Sequence, residues 1–114
     1  QFPLYWWTAP AILKQWMDDV YTYGFAFKYG EKGEWEALNL QNKEFQMIVT
    51  IGGSEEDYKR MDVKVKDCLS SYSITAYSLG MKELDPFLLY GVDSIKYSDT
   101  QLNDIMLDIK EHIL

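Results

Sequence analysis

Three bulky aromatics, Tyr5, Trp6 and Trp7, stand in a row ahead of a helix start, and further on Gly52 and Gly53 follow directly on an apolar run. Aromatic rings offer flat apolar faces, and glycine lets a backbone approach a neighbour within hydrogen-bonding distance. Either feature can serve recognition chemistry. On residue types alone, though, the tryptophans read first as core or interface anchors, and a strand followed by two glycines reads as a turn. The aromatic total adds weight: Trp6, Trp7, Trp16 and Trp35 join nine Tyr and five Phe in 114 residues. So small a core cannot absorb them all, which leaves some for a site or an interface.

Other chemistries are poorly served. A net charge of −7, scattered lysines and Arg60 as the one arginine disfavour a nucleic-acid partner, which needs clustered positive charge. Cys68 stands alone, so neither an intrachain disulfide nor a CxxC metal site is available, and its helical setting suggests a small buried thiol. The opening residues lack a basic segment and carry Pro3, unlike a secretory leader. No apolar run reaches the 18 or so residues a membrane span requires. A single domain in the cytoplasm is expected.

The elements that would position these residues follow from periodicity. Thr8 is placed to cap a helix over residues 10–21, with Pro10 in its first turn and Ile12, Leu13, Trp16, Met17 and Val20 as its apolar stripe. Residues 23–42 read as a long connection punctuated by Gly24, Gly30 and Gly33. Phe45 to Ile51, "FQMIVTI", reads as one strand buried on both faces, the signature of a parallel sheet. Residues 54–66 read as a charged loop. A helix begins near Val65, with Cys68, Leu69, Tyr72, Ala76 and Leu79 on one face and Gly80 as its stop. "PFLLY", Pro86 to Tyr90, is a second buried strand. A capping box of Ser98 and Gln101 opens a last amphipathic helix carrying Leu102, Ile105, Met106, Ile109 and Ile113. Strands alternating with helices imply an α/β fold with a parallel sheet and right-handed crossovers. Two strands are too few for such a sheet, and Gln1 to Leu4 can supply the end of a third.

"QFPLYWWTAPAILKQW", then "YGFAF", then "VTIGGSEEDY", resembles the flavodoxin-like NAD(P)H:quinone oxidoreductases, a family spanning DT-diaphorases, bacterial quinone reductases and potassium-efflux ancillary reductases. The likeness is dense from Gln1 to Tyr58 and thinner, though consistent in order, to Leu114. It implies a three-layer sandwich around a five-stranded parallel sheet in the order 2-1-3-4-5. Residues 1–114 would then be the C-terminal part of a single flavodoxin-like domain: the end of strand three, then strands four and five with flanking helices. Two strand–helix units, roughly 60–70 residues at about 30 per βαβ unit, would precede them. The family's flavin-phosphate loop lies in that preceding part, and Gly52-Gly53 lacks the GxGxxG spacing to replace it.

The resemblance also assigns roles. Pro3, Leu4, Tyr5, Trp6 and Trp7 would contact the face and edge of an isoalloxazine ring. Thr50, Ile51, Gly52 and Gly53 would approach its N1/O2 side, where backbone donors stabilise negative charge. Tyr58 falls where the family carries a tyrosine that shares charge during hydride transfer. The mammalian enzymes add a histidine just beyond it. Here the sole histidine is His112, far along the chain, so a Tyr–His relay is not supported; Lys59 or Arg60 could offer a positive charge instead, or belong to a solvated loop. Phe25, Phe27 and Tyr29 match the segment that reaches across a two-fold interface to wall the partner's substrate pocket. The implied activity is hydride transfer from NAD(P)H through a flavin, FMN or FAD, to a quinone or similar flat acceptor, in a homodimer. The alternative is a regulatory flavoprotein of a potassium-efflux transporter, and a one-electron carrier of the flavodoxin kind ranks third.

Overall fold

Three short parallel strands organise the fold. The computed structural model describes residues 1–93 and 96–113. β1 (Phe2–Pro3) is followed by α1 (Ala11–Val20) and by a hairpin of β2 (Phe27–Tyr29) and β3 (Trp35–Ala37). Next come β4 (Glu44–Phe45), β5 (Ile48–Thr50), α2 (Glu55–Arg60), α3 (Val65–Cys68) and α4 (Ser70–Ser78). β6 (Lys82–Glu83), β7 (Phe87–Leu89) and α5 (Asp99–Ile113) complete the order.

The central sheet has the order β1-β5-β7 and is parallel throughout, with Phe2 opposite Val49 and Ile48 opposite Phe87. The expected α/β class and parallel direction therefore hold. β5 is central because it is apolar on both faces: Met47, Ile48, Val49 and Ile51 are buried. Val65, Leu69 and Tyr72 join them in the core, with Leu13 and Met17 of α1 packed against it. Each fully buried aliphatic chain contributes about 1.5–3 kcal/mol. The buried Ala9 N–H donates to the Tyr72 hydroxyl at 2.8 Å, which ties the entry of α1 to α4.

Several local expectations are corrected. The Phe45–Ile51 run is two strands, because pairing switches partner at Gln46: β4 pairs with β6, then β5 with β1 and β7. At the switch the Gln46 side-chain amide donates to the Asp85 carbonyl at 2.9 Å. Residues 23–42 contain the β2–β3 hairpin, with Lys28 opposite Glu36 and Tyr29 opposite Trp35. The supposed loop after Ser54 is helix α2, begun by a capping box in which the Asp57 N–H donates to Ser54 Oγ and the Ser54 N–H to the Asp57 carboxylate, both at 3.2 Å. The helix expected from Val65 breaks at Leu69 into α3 and α4, although Gly80 does end it with a φ of +73°.

Thr8 does not cap α1; its hydroxyl donates to the Tyr5 carbonyl at 3.1 Å, and Pro10 occupies the cap position itself. Cys68 is half-buried rather than buried. α5 starts as expected, with the Ser98 N–H donating to Gln101 Oε1 at 2.8 Å and the Gln101 N–H to Ser98 Oγ at 3.2 Å. Its apolar stripe is largely uncovered, however: Leu102, Met106 and Ile113 are exposed, and no described residue of the helix is buried. Among the described residues no helix is long and apolar enough to cross a membrane.

Candidate functional site

β1 and β5 run side by side and end together, so the residues just beyond them are brought to one place. The Leu4 N–H donates to the Thr50 carbonyl at 2.8 Å and carries the pairing one step past β1. The chain then reverses at once: Tyr5 and Thr8 exchange backbone hydrogen bonds of 2.9 and 3.0 Å across Trp6 and Trp7. Both tryptophans have positive φ, 45° and 63°. That is the two-residue reversal that ordinarily selects Asn-Gly. Two aromatic residues held there cost on the order of 1–3 kcal/mol each, a strain of the kind that clusters at ligand sites.

On the other side of the gap, Thr50 leads into Gly52 and Gly53. A Cβ on Gly52 would collide with the Asp93 carboxylate, and one on Gly53 would sit 3.2 Å from Tyr58 Cε2. The glycines thus permit two close approaches. Pro3, Leu4, Tyr5, Trp6 and Trp7 form one wall of the resulting cavity. Thr50, Gly52, Gly53 and Tyr58 form another, with Val92 and Asp93 closing it. Its volume is about 310 Å³, within the range of small-ligand sites. The N–H groups of Trp6, Trp7, Gly52 and Gly53 have no hydrogen-bond partner among the described residues. A larger cavity of about 370 Å³ lies before β7, but its wall of Lys66, Asp67, Ser73, Glu83 and Asp85 has no aromatic face.

Tyr58 is half-buried on α2, and burial raises its hydroxyl pKa, with Cys68 adding to the effect. Its ring meets that of Tyr90 edge to face, with centroids 5.8 Å apart. Lys59 and Arg60 do not serve the cavity: both are exposed and lie 3.6 and 3.5 Å from Glu55 and Asp57. Ile51 is also absent from the lining. Its side chain is fully buried, its N–H donates to Leu89 and its carbonyl accepts from Val92. His112 is exposed, with its ring against Phe87.

Phe25, Phe27 and Tyr29 lie apart from the cavity, in and before the hairpin, where Phe27 stacks on Trp35 at 4.2 Å. Phe25 and Tyr29 are 44% and 55% exposed, open to a further surface. Sequence reasoning missed Val92 and Asp93. The available signal was their position just beyond the carboxyl end of a buried parallel strand, where open α/β sheets bind ligands.

Residues 1–113 match the family described as having a flavodoxin-like fold. An uncharacterized NAD(P)H oxidoreductase of Bacillus subtilis, YrkL, is 35% identical over 104 residues, which are 89% of this chain and 56% of that protein. A solved structure described as a thermophilic tryptophan halogenase from Streptomycin violaceusniger superposes with a TM-score of 0.80 at 32% identity, over 100% of this chain and 63% of its own. General stress protein 14 from Treponema denticola, solved in complex with FMN, gives 0.71 at 28% identity, over 99% and 60%. Further matches are the guinea-pig NAD(P)H dehydrogenase [quinone] 1 and a P. pentosaceus NADPH-quinone reductase. The chain spans about half the length of the curated relatives it matches first.

Proposed function

The chain belongs to the flavodoxin-like family of NAD(P)H:quinone oxidoreductases, and from that premise we propose that it supplies the ring-binding half of a flavin site. The whole enzyme would move hydride from NAD(P)H to a quinone or similar flat acceptor. The observation that carries this reading is the shared cavity, where a strained Trp-Trp turn faces a double glycine and four backbone N–H groups have no described partner. The donor set fits an isoalloxazine: aromatic faces for its plane and neutral N–H donors for its polar edge. FMN, present in the Treponema relative, is the first candidate, with FAD the alternative.

Bound flavin would supply the hydride acceptor and donor. The N–H groups of Gly52 and Gly53 would donate to the ring edge and stabilise charge gathering there. Trp6 and Trp7 would cover the ring face and exclude water, with Pro3, Leu4 and Tyr5 continuing that wall. The Tyr58 hydroxyl, protonated at neutral pH like any tyrosine, would donate from the wall that carries the glycines. Thr50 would position the first glycine. The aromatics around Phe25, Phe27 and Tyr29 would wall the acceptor pocket of a second copy in a homodimer.

Nothing in residues 1–114 resembles a phosphate-binding loop, so the flavin's phosphate would be held by preceding chain. The stretch alone is therefore expected to bind flavin weakly and to lack activity. Flavin-fluorescence titration and quinone-dependent NAD(P)H oxidation test this on the full-length protein and on residues 1–114 side by side. Tight stoichiometric binding and turnover by the full-length protein only is the expected result. A full-length protein that takes up no flavin overturns the reading, and tight binding by residues 1–114 overturns the division of the site.

A further inference from the structure

We propose that Tyr90 is a positioning residue that fixes the ring of Tyr58 against Gly53 and so sets where the Tyr58 hydroxyl meets the cavity. The role of that hydroxyl rests on the function proposed above; the positioning itself rests on geometry alone. α2 is only 6 residues long, so its backbone is a modest anchor for a side chain that must hold one orientation. At its start Ser54 and Asp57 cap it, and at its end the Val63 N–H returns to the Tyr58 carbonyl at 3.0 Å. These bonds hold the Tyr58 backbone but leave the ring free to turn about its side-chain torsions.

Two surfaces remove that freedom. The ring lies so close to Gly53 that a Cβ there would stand 3.2 Å from Cε2. It also meets the Tyr90 ring, at 5.8 Å and an interplanar angle of 68°, the edge-to-face arrangement aromatic pairs favour. The two surfaces are latched to each other: the Gly91 N–H donates to the Gly53 carbonyl at 2.8 Å, and the Tyr97 hydroxyl donates to the Tyr90 carbonyl at 3.2 Å. Tyr90 follows directly on β7, whose Leu89 is opposite Thr50. The third strand therefore reaches the cavity through a side chain that is not in its lining. The Tyr58 ring thus touches both a glycine it cannot approach further and a ring that follows directly on the sheet.

The test uses the full-length, flavin-loaded protein with tyrosine rings labelled for NMR and Tyr58 assigned through Tyr58→Phe. In the parent protein, the Tyr90 ring current should shift the Tyr58 ring signals. Tyr90→Phe should retain the shift, whereas Tyr90→Leu and the longer Tyr90→Met should abolish it, and two aliphatic variants guard against one failing to fold. The rate of flavin reduction by NAD(P)H should fall roughly tenfold or more in Tyr90→Leu, as expected for ångström-scale misplacement, with flavin affinity unchanged. Adding Tyr90→Leu to Tyr58→Phe should cost nothing further, since both act through one group. Tyr58 signals that stay in place in both aliphatic variants overturn the proposal, and so do additive rate losses. If the signals move but Tyr58→Phe leaves flavin reduction unchanged, the positioning stands and the role assigned to the Tyr58 hydroxyl falls.

Discussion

The Tyr5–Thr8 turn and the β2–β3 hairpin are both tight reversals dense in aromatic side chains, and they use them in opposite ways. The hairpin segment places its positive φ angles on Gly24 and Gly33, where they are cheap. Its rings satisfy one another: Phe27 stacks on Trp35 with 9° between their planes, Tyr23 meets Phe27 edge to face at 5.8 Å, and the Trp35 indole donates to the Ser78 carbonyl at 2.6 Å. The turn places its positive φ angles on Trp6 and Trp7, and leaves Trp6 86% exposed. Aromatic richness alone therefore marks neither region. The turn stands out because it accepts backbone strain and presents Trp6, which packs on little of the protein, beside N–H groups that have no partner among the described residues.

Replacing Trp6-Trp7 with Asn-Gly is the most forceful way to break this contrast. The turn then has the residues its backbone prefers, and the fold should gain about 2 kcal/mol or more as the strain at both positions is relieved. Flavin affinity of the full-length protein should fall at the same time by roughly tenfold to a hundredfold, because two ring contacts of about 0.5–1.5 kcal/mol each are lost. Thermal unfolding and flavin titration on one preparation read both effects. A variant that loses stability shows the turn to be structural and sinks the contrast.

Trp35→Ala should do the reverse. It removes one stacked pair and one hydrogen bond, together about 2 kcal/mol of stability, while flavin affinity stays at the parent value. Denaturant unfolding measures the first, and a matching drop in affinity would mean that the hairpin and the cavity are not separable.

The smallest effect sharpens the comparison at the cavity's edge. Hydrogen bonds from Ser54 hold the Asp57 carboxyl below its usual pKa, so the fold favours the ionised form. The stability this contributes is complete above the ordinary aspartate pKa and is lost as pH falls through the lowered one. Ser54→Ala should lower stability at neutral pH by less than Trp35→Ala does, and should flatten the acid limb of a stability–pH curve. An unchanged acid limb would place the titrating group elsewhere.

What could be read in advance followed the strength of each local signal. The apolar Phe45–Ile51 run announced a buried parallel strand, though not its division into β4 and β5, and Ser98 with Gln101 announced the start of α5. Helix α2 was hidden because Glu55–Arg60 has one aromatic among charges and its cap partner is Asp57 rather than the usual Glu or Gln. The hairpin was hidden because Gly30-Glu31-Lys32-Gly33 is no two-residue turn and its strands, of 3 residues each, are too short for alternation to be read as a signal. The cavity was legible only in part. The family resemblance named Trp6, Trp7, Gly52 and Gly53, which residue types alone left as anchors and a turn, but Asp93 and Tyr90 reach the site through sheet order, which no short stretch of sequence contains.

Because α5 buries no described residue, its turns can open without disturbing β5 or the helices packed on it. The molecule then has two cooperative units of unequal strength. Amide protons of α5 are expected to escape to solvent on a timescale of their own, and those of the three central strands to wait for the whole domain to come apart. Whatever eventually covers Leu102, Met106 and Ile113 would merge the two units into one.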